Sequence, residues 1–219
     1  MSLRFPLCFS VFPYLCARWA SHLSDGVPFL QKNNHQGIVG FHTKELMPMT
    51  SNLPDGEGLQ IRPASFNDIL FIQDIAYKTW PVAYGTILSP EQLDYMLEMI
   101  YSTAALQKQM HDNQHFFLAL QNFIPVGFAA FSPIDAATHK LHKLYVLPGI
   151  QKMGAGKKLL QTIETTAKSM GATRLQLNVN RLNNALTFYK ANGFEIIEEK
   201  DIEIGQGFYM NDYIMEKQL

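Results

Sequence analysis

The stretch that most constrains this chain is Gln151-Lys152-Met153-Gly154-Ala155-Gly156, a glycine-bearing turn between a β-like run (Leu141 to Leu147) and an amphipathic helix. In that helix Leu159, Ile163, Ala167 and Met170 recur on one face, Lys158, Gln161, Glu164 and Lys168 take the other, and Gly171 stops it. Glycine lets backbone approach a ligand closely, the first N–H groups of a helix have no partner within it, and the helix dipole favours an anion there. The turn is a candidate phosphate cradle. Two common cradles are excluded by the letters. A Walker loop needs Gly, four residues, then Gly-Lys-Ser/Thr, but Gly156-Lys157 is followed by Lys158 and the upstream glycine position holds Gln151. A Rossmann fingerprint needs a third glycine where Leu159 stands, and an acidic residue about 20 residues on, at the end of a second parallel strand.

The residues before the turn predict a short strand from Leu59 to Arg62, ended by Pro63. Ser65-Phe66-Asn67-Asp68 has capping-box spacing, and Ile69, Ile72, Ile75 and Ala76 form the stripe of a first helix. Thr79 to Leu88, with Trp80, Pro81, Tyr84 and Gly85, reads as an aromatic stretch rich in helix breakers. Ser89-Pro90 starts a second helix with Leu93, Met96, Leu97 and Ile100 on its apolar face, and a shorter helical piece follows from Thr103 to Met110. Strands are expected at His115–Gln121, Pro125–Phe131 and Lys140–Leu147. After the turn and its helix come a strand from Arg174 to Val179 and a helix capped by Asn183 or Asn184 and closed by Gly193. Phe194–Ile202 and Phe208–Lys217 then read as a hairpin. The order β-α-α-β-β-β-α-β-α-β-β predicts an α/β (α+β) fold, a mixed, mostly antiparallel central sheet flanked by helices.

Two motifs in this order carry a family resemblance. The turn reads Gln-x-x-Gly-x-Gly, and about thirty residues later Asn183-Asn184-Ala185-Leu186-Thr187-Phe188-Tyr189-Lys190-Ala191-Asn192-Gly193-Phe194 reads Asn-x-Ala-x-x-Phe-Tyr-x-x-x-Gly-Phe. Together they resemble the GCN5-related N-acetyltransferases (GNAT superfamily) over about Leu59 to Leu219. Thr79-Trp80-Pro81 and the segment Phe208 to Asp212 are loosely similar to bacterial polyamine-type members. The resemblance implies transfer of the acetyl group of acetyl-CoA, by direct attack, to a primary amine of a polyamine-like small molecule or a peptide N-terminus. The alternatives are a catalytically silent acyl-CoA-binding sensor and an enzyme with a larger acyl donor such as succinyl-CoA.

Roles follow from the resemblance. Gln151, Lys152, Met153, Gly154, Ala155, Gly156 and Lys157 would cradle the coenzyme's pyrophosphate, through the backbone N–H groups of Met153 to Lys157 and the charge of Lys157 and Lys158. Leu144, Tyr145 and Val146 would form the strand edge beside the pantetheine arm, with Asn183, Asn184 and Phe188 against the cofactor. Tyr189 would protonate the leaving thiolate: a phenol of pKa about 10 keeps its proton until charge develops on a thiol of pKa about 8.5. The bland alternative for Tyr189 is a helix tyrosine at a core edge.

A base for the amine is harder to find. Regular alternation puts Lys140, His142, Leu144 and Val146 on one face of their strand with no carboxylate, which leaves His142 as proton acceptor, directly or through water, or as a solvent-facing histidine. Trp80, Tyr84, Tyr209, Asp212 and Tyr213 are candidates for the acceptor pocket, since rings hold cations and a carboxylate orients them; packing is the alternative for each. His139 and His142, three apart on a strand, face opposite sides, and no metal is expected.

The formal net charge of −1, without a run of one sign, provides neither a nucleic-acid stripe nor a polybasic membrane surface. Cys8 and Cys16 are the two cysteines, so no disulfide framework is expected in the body of the protein. Residues 1–58 read as a mostly disordered N-terminal extension. Met47 or Met49 as the true initiator would make the upstream part a gene-start artefact, with a cytoplasmic location following; a targeting peptide is the alternative. Phe5–Ala17, interrupted by Pro6 and Pro13, is shorter than the ~20 apolar residues a membrane span needs. A homodimer is an expectation from the family.

Overall fold

The computed structural model describes residues 58–150 and 153–219; the readings of the N-terminal stretch and of Gln151 and Lys152 lie outside the described residues. The chain forms β1 (Leu59–Pro63), a 3-10 turn (Phe66–Asp68), α1 (Ile69–Tyr84), α2 (Pro90–Tyr101), α3 (Thr103–His111), β2 (His115–Gln121), β3 (Ile124–Pro133) and β4 (Thr138–Val146). It continues with α4 (Ala155–Ser169), β5 (Arg174–Asn180), α5 (Ala185–Ala191), β6 (Glu195–Gly205) and β7 (Phe208–Gln218). Among the described residues the strands make one sheet in the order β1-β2-β3-β4-β5-β7-β6, in which β4 and β5 pair in parallel and the other neighbours antiparallel. This is the expected mixed, mostly antiparallel sheet.

Alternation along the strands splits the apolar residues between two cores. On β3, Ala129 and Phe131 face one side, where they join Leu159, Ile163 and Ala167 of α4 and Leu175, Leu177 and Met215 of the sheet. Phe128 and Ala130 face the other, with Ile72, Ile75 and Trp80 of α1 and Leu93, Leu97 and Leu106 of α2 and α3. Burying each large aliphatic side chain contributes about 1.5–3 kcal/mol, which fixes the helices on their two faces. The β6–β7 turn has Gln206 at φ 55° and Gly207 at φ 75°, the two positive values that a two-residue hairpin turn matching strand twist requires.

One boundary differs from expectation. α1 runs through Pro81 to Tyr84, although Pro81 lacks the N–H to continue the ladder. The buried Trp80 and Tyr84 flank it and extend the stripe of Ile69, Ile72 and Ile75, and their burial offsets the broken bond. The capping box at Ser65 is present: its N–H donates to Asp68 Oδ2 at 2.8 Å. Arg62 holds the same carboxylate at 2.7 Å, pulling its pKa down to about 2.

Candidate active site

The site begins where two strands part. β4 pairs with β5 only from Thr138↔Arg174 to Leu141↔Leu177. Beyond that, β4 continues beside β3 to Val146 and β5 beside β7 to Asn180. A β-bulge lies at the fork: Ala130 pairs with Lys143 and Phe131 with Leu141, so His142 is the extra residue. A bulge bends its strand and strengthens the twist, which turns the end of β4 away from β5. The resulting cleft, of about 440 Å³, is lined by the end of β4, by Asn178 and Val179 of β5, by the start of α5 and by Thr79 and Tyr84 of α1.

The bulge also corrects the predicted parity. Leu141, Leu144 and Val146 belong to the core under α4, whereas Tyr145 packs with the α1–α3 core and Lys143 lies 5.4 Å from the ring centre of Phe116 in that same core. His142 Nε2 is 2.8 Å from Ser132 Oγ. Burial foremost, then the charges of Lys143 and Lys140, holds the imidazole down to about 3, so it is neutral and a weak proton acceptor.

At the mouth of the cleft, Gly154 takes φ 83° as the N-cap of α4, a conformation that favours glycine. The first helical bond of α4 runs from Lys158 N–H to Gly154 O at 2.9 Å, so the N–H groups of Ala155, Gly156 and Lys157 precede the ladder. Two predicted contributors are engaged elsewhere. Met153 N–H donates to Ile150 O at 3.0 Å, and the Lys158 ammonium donates to Leu59 O. A Cβ on Gly156 would lie 3.6 Å from Leu144 and 3.7 Å from Phe188, so turn, β4 and α5 converge there. Open space at Gly154, ladder-free amides and an apolar slot beside Leu144 fit a diphosphate with an extended arm.

Across the cleft, Tyr189 is buried and lines the cavity, packed edge-to-face with Phe188 and Phe194 at ring-centre distances of 5.4 and 5.7 Å. Burial raises its pKa further above the ordinary phenol value, with a smaller contribution from Tyr84. Asn183 and Asn184 line the same wall; Asn183 Oδ1 accepts from Ala185 N–H at 2.8 Å, so it also secures the start of α5.

The acceptor-side candidates divide. Tyr84 lines the cleft, its hydroxyl 3.4 Å from that of Tyr145, which lines it as well. Trp80 does not: it is 2% exposed, packs against Tyr84 at 4.8 Å and donates to the Tyr101 hydroxyl. Tyr209 is 49% exposed and outside the cleft lining, its carbonyl accepting from Gln92. Tyr213 packs against the α4 core, facing away. Asp212 is 5% exposed on the opposite face of β7, bonded to Asn178 Nδ2 at 3.5 Å through Oδ2, and its Oδ1 has no hydrogen-bond partner among the described residues. Burial foremost lifts its carboxyl to about 6, opposed by Asn178 and by the charges of Lys140 and Arg181.

Sequence reasoning missed Lys143 and Asn178, both in the cleft wall. Lys143 is 7% exposed with its ammonium 3.2 Å from Gln114 Oε1, and burial lowers its pKa to about 7. No letter pattern announces it, since the bulge decides which way it points.

Residues 86–216 match the family described as acetyltransferase (GNAT) domain. An uncharacterized N-acetyltransferase of Mycobacterium tuberculosis is 31% identical over 147 residues, 66% of this chain and 94% of the relative. The spermidine N(1)-acetyltransferase of Thermoplasma acidophilum is 28% identical over 165 residues, 73% of this chain and 96% of its own. Among solved structures, the PaiA N-acetyltransferase of the same organism in complex with coenzyme A superimposes with a TM-score of 0.64 at 27% identity, over 74% of this chain and 99% of that one.

Proposed function

The chain belongs to the acetyltransferase (GNAT) family, and on that premise we propose that its acceptor is a small, multiply charged primary amine of polyamine type, received at the end of the cleft lined by Tyr84 and Asn178, behind which Asp212 lies. The protein is an acetyl-CoA-dependent N-acetyltransferase, and the coenzyme supplies the acetyl thioester. The observation that carries the choice of amine is Asp212, a buried carboxylate with one oxygen unengaged among the described residues, whose charge is felt by Tyr84, a ring of the cleft wall beside Tyr145. Rings and a carboxylate together suit an ammonium group. A spermidine acetyltransferase among the relatives supports the same class.

In this reading the N–H groups from Gly154 to Lys157 hold the diphosphate, with the Lys157 charge added. The edge of β4 from Leu144 to Val146 runs beside the pantetheine arm, and Asn183, Asn184 and Phe188 close the opposite wall. Tyr189 gives its proton to the departing sulfur. His142, neutral and tied to Ser132, positions rather than deprotonates the amine.

Thiol release from acetyl-CoA, followed with spermidine, a monoamine of equal length and a peptide with a free N-terminus, tests the proposal. The expected order of kcat/KM places spermidine first. Equal rates on the monoamine remove the polyamine class. Coenzyme binding without turnover on any amine leaves an acyl-CoA-binding module instead.

A further inference from the structure

We propose that Asp212 is the proton acceptor of the reaction, taking a proton from the acceptor nitrogen directly or through one water held by its unengaged Oδ1. The proposal rests on the acceptor end of the cleft being where the amine is received, and holds for any primary amine.

Position, and the absence of a carboxylate from the cleft lining among the described residues, support it. Asp212 lies on the α1–α3 face of β7 with Phe208 and Met210, which join the core on that side. Its bonded partner Asn178 and its neighbour Tyr84 both line the cleft, so the carboxylate lies directly behind the cavity wall. The charged and titratable groups that face it are Lys140 from β4, Arg181 after β5, Tyr84 from α1 and Lys200, its register partner on β6, none of which is acidic at neutral pH. Arg181 is held by Asp201 and Glu199 of β6. A carboxylate that is 5% exposed and leaves an oxygen without a hydrogen bond among the described residues carries an unmet electrostatic demand, which uptake of a proton satisfies. His142 cannot serve in its place because its ring stays neutral down to about pH 3.

The protons balance. An ammonium nitrogen begins with three hydrogens and ends, as an amide, with one. As the C–N bond forms and the C–S bond breaks, one of the two released protons is accounted for on the coenzyme sulfur, by way of Tyr189. The other passes to Asp212 and then to solvent.

Such a pair leaves a distinctive pH profile, because ionised Asp212 with an ammonium has the same proton count as neutral Asp212 with a free amine. Wild-type kcat/KM should rise as free Asp212 ionises near pH 6, then stay level until the substrate ammonium titrates near about 10. Asp212→Asn should lower kcat/KM at pH 7 by about 100-fold or more. It should also abolish the plateau, so that the rate climbs tenfold per pH unit toward about 10 while coenzyme affinity is unchanged. Asn178→Ala removes the donor on Oδ2 and should move the acid limb above pH 6, a reading that stands even if Asp212→Asn does not fold. A plateau that survives in Asp212→Asn, an acid limb unmoved in Asn178→Ala, or a variant that raises KM alone would each overturn the assignment. Those results leave the choice of amine intact, whereas equal wild-type rates on spermidine and the monoamine remove the polyamine class and leave this test standing. A wild-type enzyme inactive on every amine removes both.

Discussion

His142 Nε2 stands 2.8 Å from Ser132 Oγ, on the one residue of β4 that the β3 ladder passes over. The ring stays neutral to about pH 3, whereas in the unfolded chain it titrates near about 6.5. Between those values the unfolded chain binds a proton that the folded one refuses, so stability falls as pH drops through the window. His142→Gln keeps a polar partner for Ser132 without the titration. Its thermal midpoint, followed from pH 7 to pH 4 by circular dichroism, should fall less steeply than that of the wild type; parallel curves would contradict this.

Tyr189→Phe removes the hydroxyl and keeps the ring that packs between Phe188 and Phe194. Loss of a positioned acid costs about 100-fold or more in kcat. Coenzyme affinity by calorimetry should be unchanged, because no bond to the glycine turn passes through the phenol. A wild-type kcat would transfer the acid role elsewhere.

Gly127 sits where β3 crosses the end of β4, and a Cβ there would meet Tyr145 O at 2.8 Å and Val146 Cγ2 at 3.1 Å. Gly127→Ala must push β4 outward, with an overpacking cost of about 1–3 kcal/mol. Because Tyr145 and Val146 line the cleft, coenzyme affinity should fall together with denaturant midpoint. Lost stability with unchanged affinity would show that the strand end yields without disturbing the wall.

Lys143 is a buried ammonium that donates, among the described residues, to the neutral amide of Gln114. Its folded pKa near 7 lies below the ordinary lysine value of 10.5, so burying the charge opposes folding fully below pH 7 and less as pH rises toward 10.5. Lys143→Met should stabilise the protein by about 1 kcal/mol or more at pH 6, with the gain shrinking at pH 10. Urea denaturation at the two pH values measures it, and a destabilised variant at pH 6 would mean that the ammonium is satisfied by contacts beyond Gln114.

The local features were legible in the sequence because their causes are local. Gly154 needs a left-handed backbone, Phe188-Tyr189 falls on a short helix closed by Gly193, and the Ser65 capping box sits three residues from Asp68. What depends on a distant strand was not. Alternation along β4 fails at His142 because β3 sets the register, and that shift turned Lys143 into the cleft wall. Asp212 reads as a candidate for the acceptor pocket, but its burial and its bond to Asn178 of β5 depend on strand pairing that no local pattern gives. Pro81 misleads in the opposite direction: a strong local signal yields to the burial of its neighbours.

The forking of β4 from β5 after Leu141↔Leu177 divides the labour of acetyl transfer between two arms of a wedge, one leading into α4 and the other into α5. In the proposed reading, the spacing between the coenzyme and Tyr189 is then dictated by backbone pairing at the apex. Residues lining the space are free to drift toward new amines while the reach of the transfer stays constant.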